Sequence, residues 1–106
     1  MAINQYSVYW INLDPTKGSE VNKTRPCVII SPNEMNEYLR TVIIAPLIHT
    51  IKSYPTRVIC NIKGDNGTVM LDQIRTVDKT RIGNFIASLQ AKEIAEIKSV
   101  INEMLC

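Results

Sequence analysis

The hydrophobic period of this chain changes once, and that change constrains the fold more than any other feature. Up to Leu89 the apolar residues come in short runs rich in β-branched and aromatic types: Ser7-Val8-Tyr9-Trp10-Ile11-Asn12-Leu13, Pro26-Cys27-Val28-Ile29-Ile30-Ser31, Thr41-Val42-Ile43-Ile44-Ala45-Pro46, Thr56 to Ile62, Thr68 to Leu71 and Ile74 to Val77. Runs of this length bounded by Gly, Pro, Asn and Asp read as strands. A further short strand is expected within Arg81 to Leu89, a hairpin turn over Lys63 to Gly67, and a single helical turn over Pro32 to Glu37. Beyond Leu89 the spacing becomes helical. Ile94, Ile97, Ile101 and Met104 with Leu105 recur on one face, with Lys92, Glu93, Glu96, Lys98 and Glu103 between them. This predicts an amphipathic helix over residues 91 to 105, opened by an imperfect capping box in Gln90-x-x-Glu93. Strands do not alternate with helices, so a parallel sheet is excluded. The expected fold is mainly β, a small and strongly bent barrel-like sheet over about residues 1 to 90 with a terminal helix.

The 106 residues fit a single domain able to bury a core without disulfide or metal staples. With 45% hydrophobic and 21% charged residues, the chain is globular rather than disordered. No run approaches the roughly 18 apolar residues of a spanning helix, and no basic start precedes an apolar segment, so no membrane is expected. Cys27, Cys60 and Cys106 are odd in number and far apart, and they share no metal spacing with the single histidine, His49. They read as free thiols in a reducing compartment, which points to the cytoplasm. The net charge of +2 is too mild to identify a nucleic-acid binder. Its placement is informative: residues 1–81 carry 10 lysines and arginines against 7 aspartates and glutamates, while residues 82–106 carry 2 against 3.

Arg25 stands where a charge is rarely placed, directly before Pro26 and the apolar run that follows. Proline pushes the preceding residue out of the helical region, so Arg25 is expected to be extended at the mouth of a strand, its guanidinium aimed by backbone. A planar cation presented in this way suits a phosphate or a carboxylate. Taken alone, the segment fits a loop arginine paired with Glu20 equally well. Asp14-Pro15-Thr16-Lys17-Gly18 closes the first strand with strong turn chemistry, leaving a loop from 14 to 25 of a length usually associated with function or mobility. A second polar cluster is Asp72-Gln73-Ile74-Arg75-Thr76-Val77-Asp78. If extended, it puts Gln73, Arg75 and Val77 on one face and Asp72, Ile74 and Thr76 on the other, which is not a core pattern.

Many chemistries are closed to such a chain. It lacks HExxH and GxSxG, and four glycines leave no room for a phosphate loop. RNA asks for less, because its 2′-hydroxyl is a built-in nucleophile. The enzyme need only position the backbone, stabilise the phosphorane and move two protons.

Asn12-Leu13-Asp14-Pro15-Thr16-Lys17-Gly18-Ser19-Glu20, Thr24-Arg25-Pro26 leading to Ser31-Pro32, Ala45-Pro46, Tyr54-Pro55-Thr56-Arg57-Val58 and Leu71-Asp72-Gln73-Ile74-Arg75-Thr76-Val77-Asp78 follow one another with family-like spacing. Together they strongly resemble the MazF/PemK toxin endoribonucleases, over nearly the whole chain. The resemblance implies an SH3-like barrel with a C-terminal helix, shared with the CcdB toxins, and a symmetric homodimer. It further implies ribosome-independent and metal-independent cleavage of single-stranded mRNA, giving 2′,3′-cyclic phosphate and 5′-hydroxyl ends, with no cofactor and no DNA substrate. An acidic antitoxin peptide that folds on binding is implied as partner.

Carried over by position, Arg25 matches the family's catalytic arginine. Arginine is a poor base with a pKa above about 12, so charge stabilisation is its expected role. Asp14 to Glu20 matches a loop flanking the RNA groove, where Lys17, Ser19 and Glu20, with Thr24, are expected at the RNA and Glu20 is expected to orient Arg25. Asp72 matches an acidic position implicated in catalysis, and Gln73 and Arg75 are expected to line the same surface. The chain departs from the family in two places. The threonine commonly found two residues after the third-strand proline is here Ile48, which has no hydrogen-bonding group. His49 and Thr50 follow and are candidates to replace it, provided the chain is irregular there. Histidine, with an ordinary pKa of about 6.5, is the better proton shuttle. Met70 also stands where related chains carry an arginine two residues before the aspartate. Two other readings stay open: a protein-binding toxin of the same fold such as the gyrase poisons, and an attenuated member that mainly binds antitoxin.

Overall fold

The computed structural model describes residues 2–13, 24–51 and 54–106. Seven strands form a curled antiparallel sheet: β1 Ser7–Asn12, β2 Thr24–Ile29, β3 Thr41–Ile48, β4 Arg57–Ile62, β5 Asp65–Met70, β6 Arg75–Asp78 and β7 Ile82–Ser88. Two helices complete it, α1 Asn33–Tyr38 between β2 and β3 and α2 Ala91–Leu105 at the end. The strand order is β4-β5-β3-β2-β1-β7, and β6 also pairs with β3. This is the bent sheet with terminal helix that the change of period predicts.

The long strand β3 causes the bend. One of its edges takes β2, with Cys27 opposite Pro46 and Ile29 opposite Ile44. Its other edge is divided, Thr41–Ile44 pairing with β6 and Leu47–Ile48 with β5. A 3₁₀ turn, Leu71–Gln73, carries the chain between those two partners. Asp72 and Gln73 are therefore held in a turn, and the expected two-faced strand begins only at Arg75. The β4–β5 hairpin is also tighter than expected. Its turn is only Lys63-Gly64, both at positive φ (51° and 89°), while Asp65, Asn66 and Gly67 already pair with β4. That backbone matches the twist of the flanking strands, and Asn61 Oδ1 accepts from the Gly64 amide at 3.0 Å.

Both faces of the central strands are buried, which is why their sequences are continuously apolar rather than alternating. Inside the curl, Val8, Val28, Ala45, Leu47, Val58, Val69 and Leu71 pack with Ile97 of α2. On the outer face lie Tyr9, Ile11, Cys27, Ile29, Val42, Ile44 and Val77. α2 is anchored at its first turn: Glu93 accepts from the Gln90 amide at 2.9 Å and from the Asn61 amide of β4 at 2.7 Å. One buried carboxylate thus closes the helix start and ties it to the sheet.

Side-chain alternation through these registers groups residues far apart in sequence. Arg25, Cys27 and Ile29 of β2 share the outer face with Ile44 and Ile48 of β3, Thr68 and Met70 of β5, Arg57 and Ile59 of β4, and Arg75 of β6. Three arginines belong to one face.

Candidate active site

Arg25 is an exposed residue of β2, opposite Ile11 of β1. Continuing the β2–β3 register by two residues places Ile48 across from it. A cleft of about 510 Å³ opens over this end of the sheet, lined by Trp10, Thr24, Arg25, Ile48, His49 and Thr50 among others. Among the described residues no carboxylate pairs with Arg25.

The irregularity required of the chain after Ile48 is present. β3 ends at Ile48, and His49 and Thr50 lie in a bend beyond it. The bend is tied down where the Thr68 hydroxyl donates to the Thr50 carbonyl at 2.8 Å. His49 is thereby freed from strand alternation and lines the same cleft as Arg25. It also lines an adjoining apolar pocket of about 160 Å³ with Trp10, Pro26, Leu47, Ile62 and Ile86.

Cys27 lies beneath this surface. Burial pushes its thiol up to about 12, opposed by the positive charges of Arg75 and then Arg25. Both guanidinium groups act on one sulfur, so Arg75 and Arg25 lend positive charge to the same part of the sheet. The neutral thiol also contacts the Arg25 carbonyl, Sγ to O being 3.6 Å.

Asp72 is placed elsewhere. It receives Arg57 Nε on Oδ1 at 3.2 Å, Arg57 Nη2 on Oδ2 at 3.4 Å and the Thr56 hydroxyl on Oδ1 at 3.2 Å. The hydrogen bond from Arg57 holds its carboxyl below the ordinary carboxylate range, its own backbone and Thr56 adding to the effect. The two residues line a separate cleft of about 370 Å³ with Tyr54, Pro55 and Thr56. Gln73 is exposed on the same 3₁₀ turn. Lys17, Ser19 and Glu20 lie outside the described residues. Among the described residues no three His, Cys, Asp or Glu side chains converge as metal ligands.

Sequence reasoning assigned no role to Trp10, Tyr54 or Arg57. Trp10 is 43% exposed on the cleft wall. A tryptophan just ahead of a polar loop was the available signal.

A family model for the PemK-like, MazF-like toxin of type II toxin–antitoxin systems matches residues 4–105. The chain belongs to this family. Among its relatives, the endoribonuclease MazF of Staphylococcus saprophyticus is 37% identical over 101 residues, covering 90% of this chain and 84% of the relative. The endoribonuclease MazF of Staphylococcus epidermidis is 32% identical over 106 residues, covering 94% and 88%. The fold agrees with solved members. A mycobacterial endoribonuclease in complex with its cognate antitoxin superposes with a TM-score of 0.83 at 23% identity, covering 98% of this chain and 95% of that one. MazF from Deinococcus radiodurans gives 0.81 at 25% identity, covering 99% and 97%.

Proposed function

We propose that this chain is the toxin endoribonuclease of a toxin–antitoxin pair, cutting single-stranded mRNA at the Arg25 cleft without metal or ribosome. The observation that carries the reading is Arg25 itself, an exposed strand-mounted cation with no carboxylate partner among the described residues, in a chain of the MazF family. The ribose 2′-hydroxyl attacks the adjacent phosphorus, its proton passing to a base as the 2′-O–P bond forms. The P–O5′ bond then breaks and the departing 5′-oxygen takes a proton. The products are a 2′,3′-cyclic phosphate and a 5′-hydroxyl. Arg25 neutralises the phosphorane oxygens. His49 is the group in the cleft suited to move the protons, and Thr24 and Thr50 line the same cleft beside it. Arg75 adds charge that draws the RNA on.

Two partners follow. A second copy of the chain would pack on the outer face around exposed Phe85, which stands against Tyr9. An acidic antitoxin segment, folding as it binds, would complement the positive first three quarters of the chain. Free cysteines, two of them buried, suit a reducing cytoplasm.

The direct test is incubation of purified protein with long single-stranded RNA in EDTA beside an Arg25→Ala control. Cleavage by the wild type alone supports the proposal, whereas no cleavage, or equal cleavage by both, refutes it. Ile48 favours one second reading, a weakened catalyst that chiefly binds antitoxin. Ile48→Thr should then raise the cleavage rate sharply; an unchanged rate removes that reading.

A further inference from the structure

The sequence motif Tyr54-Pro55-Thr56-Arg57 has no part in the chemistry at Arg25, yet it builds an ordered surface. The guanidinium of Arg57 lies over the Tyr54 ring, Cζ being 4.9 Å from the ring centroid. Asp72 grips the guanidinium from the side with both carboxylate oxygens, and Thr56 holds Asp72 in turn. The backbone is closed on the same point, since the Arg57 amide donates to the Tyr54 carbonyl at 3.0 Å and the Leu71 amide to Thr56 at 3.2 Å. Only 14% of the Arg57 side chain is exposed, but Tyr54 remains 52% exposed. One ring face is covered by a cation and much of the rest meets solvent.

We propose that Tyr54 and Arg57 form a stacking platform for a nucleobase of the RNA, and that Asp72 is the positioning residue that holds it. This rests on the reading of the chain as a single-stranded RNA enzyme. The charge balance selects a base over a phosphate. Asp72 already meets the positive charge of Arg57, so an anion gains nothing there, whereas a flat ring stacks on a tyrosine polarised by the cation behind it. The location fits as well. Arg57 shares the outer face with Arg25, three strands and two residues away, or about 16 Å between Cα atoms at ordinary sheet spacings. A single strand fixed at Arg25 by its phosphate can therefore reach the platform with a base a few nucleotides along.

The test uses a 2′-O-methyl oligonucleotide, which lacks the nucleophile and is bound without being cut, carrying a fluorescent 2-aminopurine at successive positions. With the wild-type protein, one position near the blocked scissile phosphate should be strongly quenched. Tyr54→Ala should abolish that quenching and weaken binding on the order of tenfold, while Tyr54→Phe retains both. The ratio of wild-type to Tyr54→Ala affinity should not change between low and high salt, because stacking releases no counterions. Arg25→Ala should show the opposite, a loss that shrinks as salt rises. Asp72→Asn should weaken binding less than Tyr54→Ala and steepen the salt dependence, since an unpaired Arg57 becomes a phosphate-binding cation; a merely structural Asp72 would leave the salt slope unchanged. Wild-type affinity and quenching in Tyr54→Ala, with RNA cleavage intact, overturns the platform and leaves the RNA reading standing. If the wild-type protein neither binds nor cleaves RNA, both fall.

Discussion

Arg25 and Arg57 sit on the same face of one curled sheet and have opposite surroundings. Arg57 is gripped by Asp72, stacked on Tyr54 and largely covered. Arg25 is exposed beside an isoleucine, with no carboxylate partner among the described residues. A cation whose charge is already met can only shape a surface. One that meets no carboxylate among the described residues is the one proposed to stabilise a phosphorane. Residue type and strand placement are alike, so the neighbours decide the role.

Breaking Arg25 should have the largest effect: Arg25→Ala is expected to lower the cleavage rate on the order of 10²–10³-fold with the melting temperature unchanged, as read by single-turnover assays. Removing the proton shuttle comes next. His49→Gln should cost on the order of 10²-fold at neutral pH, and a wild-type rate would assign proton transfer elsewhere. Dismantling the closed cation should do less, Tyr54→Ala weakening RNA binding on the order of tenfold. The Arg57–Asp72 pair itself should add below about 1 kcal/mol to stability, because it is partly solvated. The sign of its pH dependence is fixed by the lowered carboxyl of Asp72. Its contribution is complete above the ordinary aspartate value of about 3.9 and is lost as pH falls through the depressed one. Denaturant melts of wild type and Asp72→Asn should thus differ by a constant amount from pH 5 to 8 and converge only in strong acid. The smallest effect concerns the thiols: at pH 8 a disulfide reagent should label exposed Cys106 and spare Cys27 and Cys60, each buried and pushed up to about 12. Rapid labelling of Cys27 would mean that the surface beneath Arg25 is open.

Much of this was legible in the sequence. The helix over Ala91–Leu105 and its capping residues follow from isoleucine spacing and Gln90-x-x-Glu93. The strands follow from β-branched runs, although their edges moved: β3 continues through Leu47 and Ile48 because β5 pairs there, a tertiary partner that no local pattern reveals. The extended geometry of Arg25 was readable from Pro26. Asp72 was harder, since a 3₁₀ turn replaces the first part of the expected strand, and turns depend on how β3 divides its edge between two partners. The pairing of Asp72 with Arg57, 15 positions away, is a product of the β4–β5 hairpin register. His49 was legible as a candidate only on a condition, and the bend after Ile48 meets it.

The central claim is that Arg25 is the catalytic cation of a metal-independent ribonuclease, and end-group analysis of RNA cut in EDTA tests it most directly. Wild-type protein should give 2′,3′-cyclic phosphate and 5′-hydroxyl ends, with Arg25→Ala giving almost none and Tyr54→Ala giving the same ends more slowly. Equal product from Arg25→Ala, or ends bearing a 5′-phosphate, would contradict it.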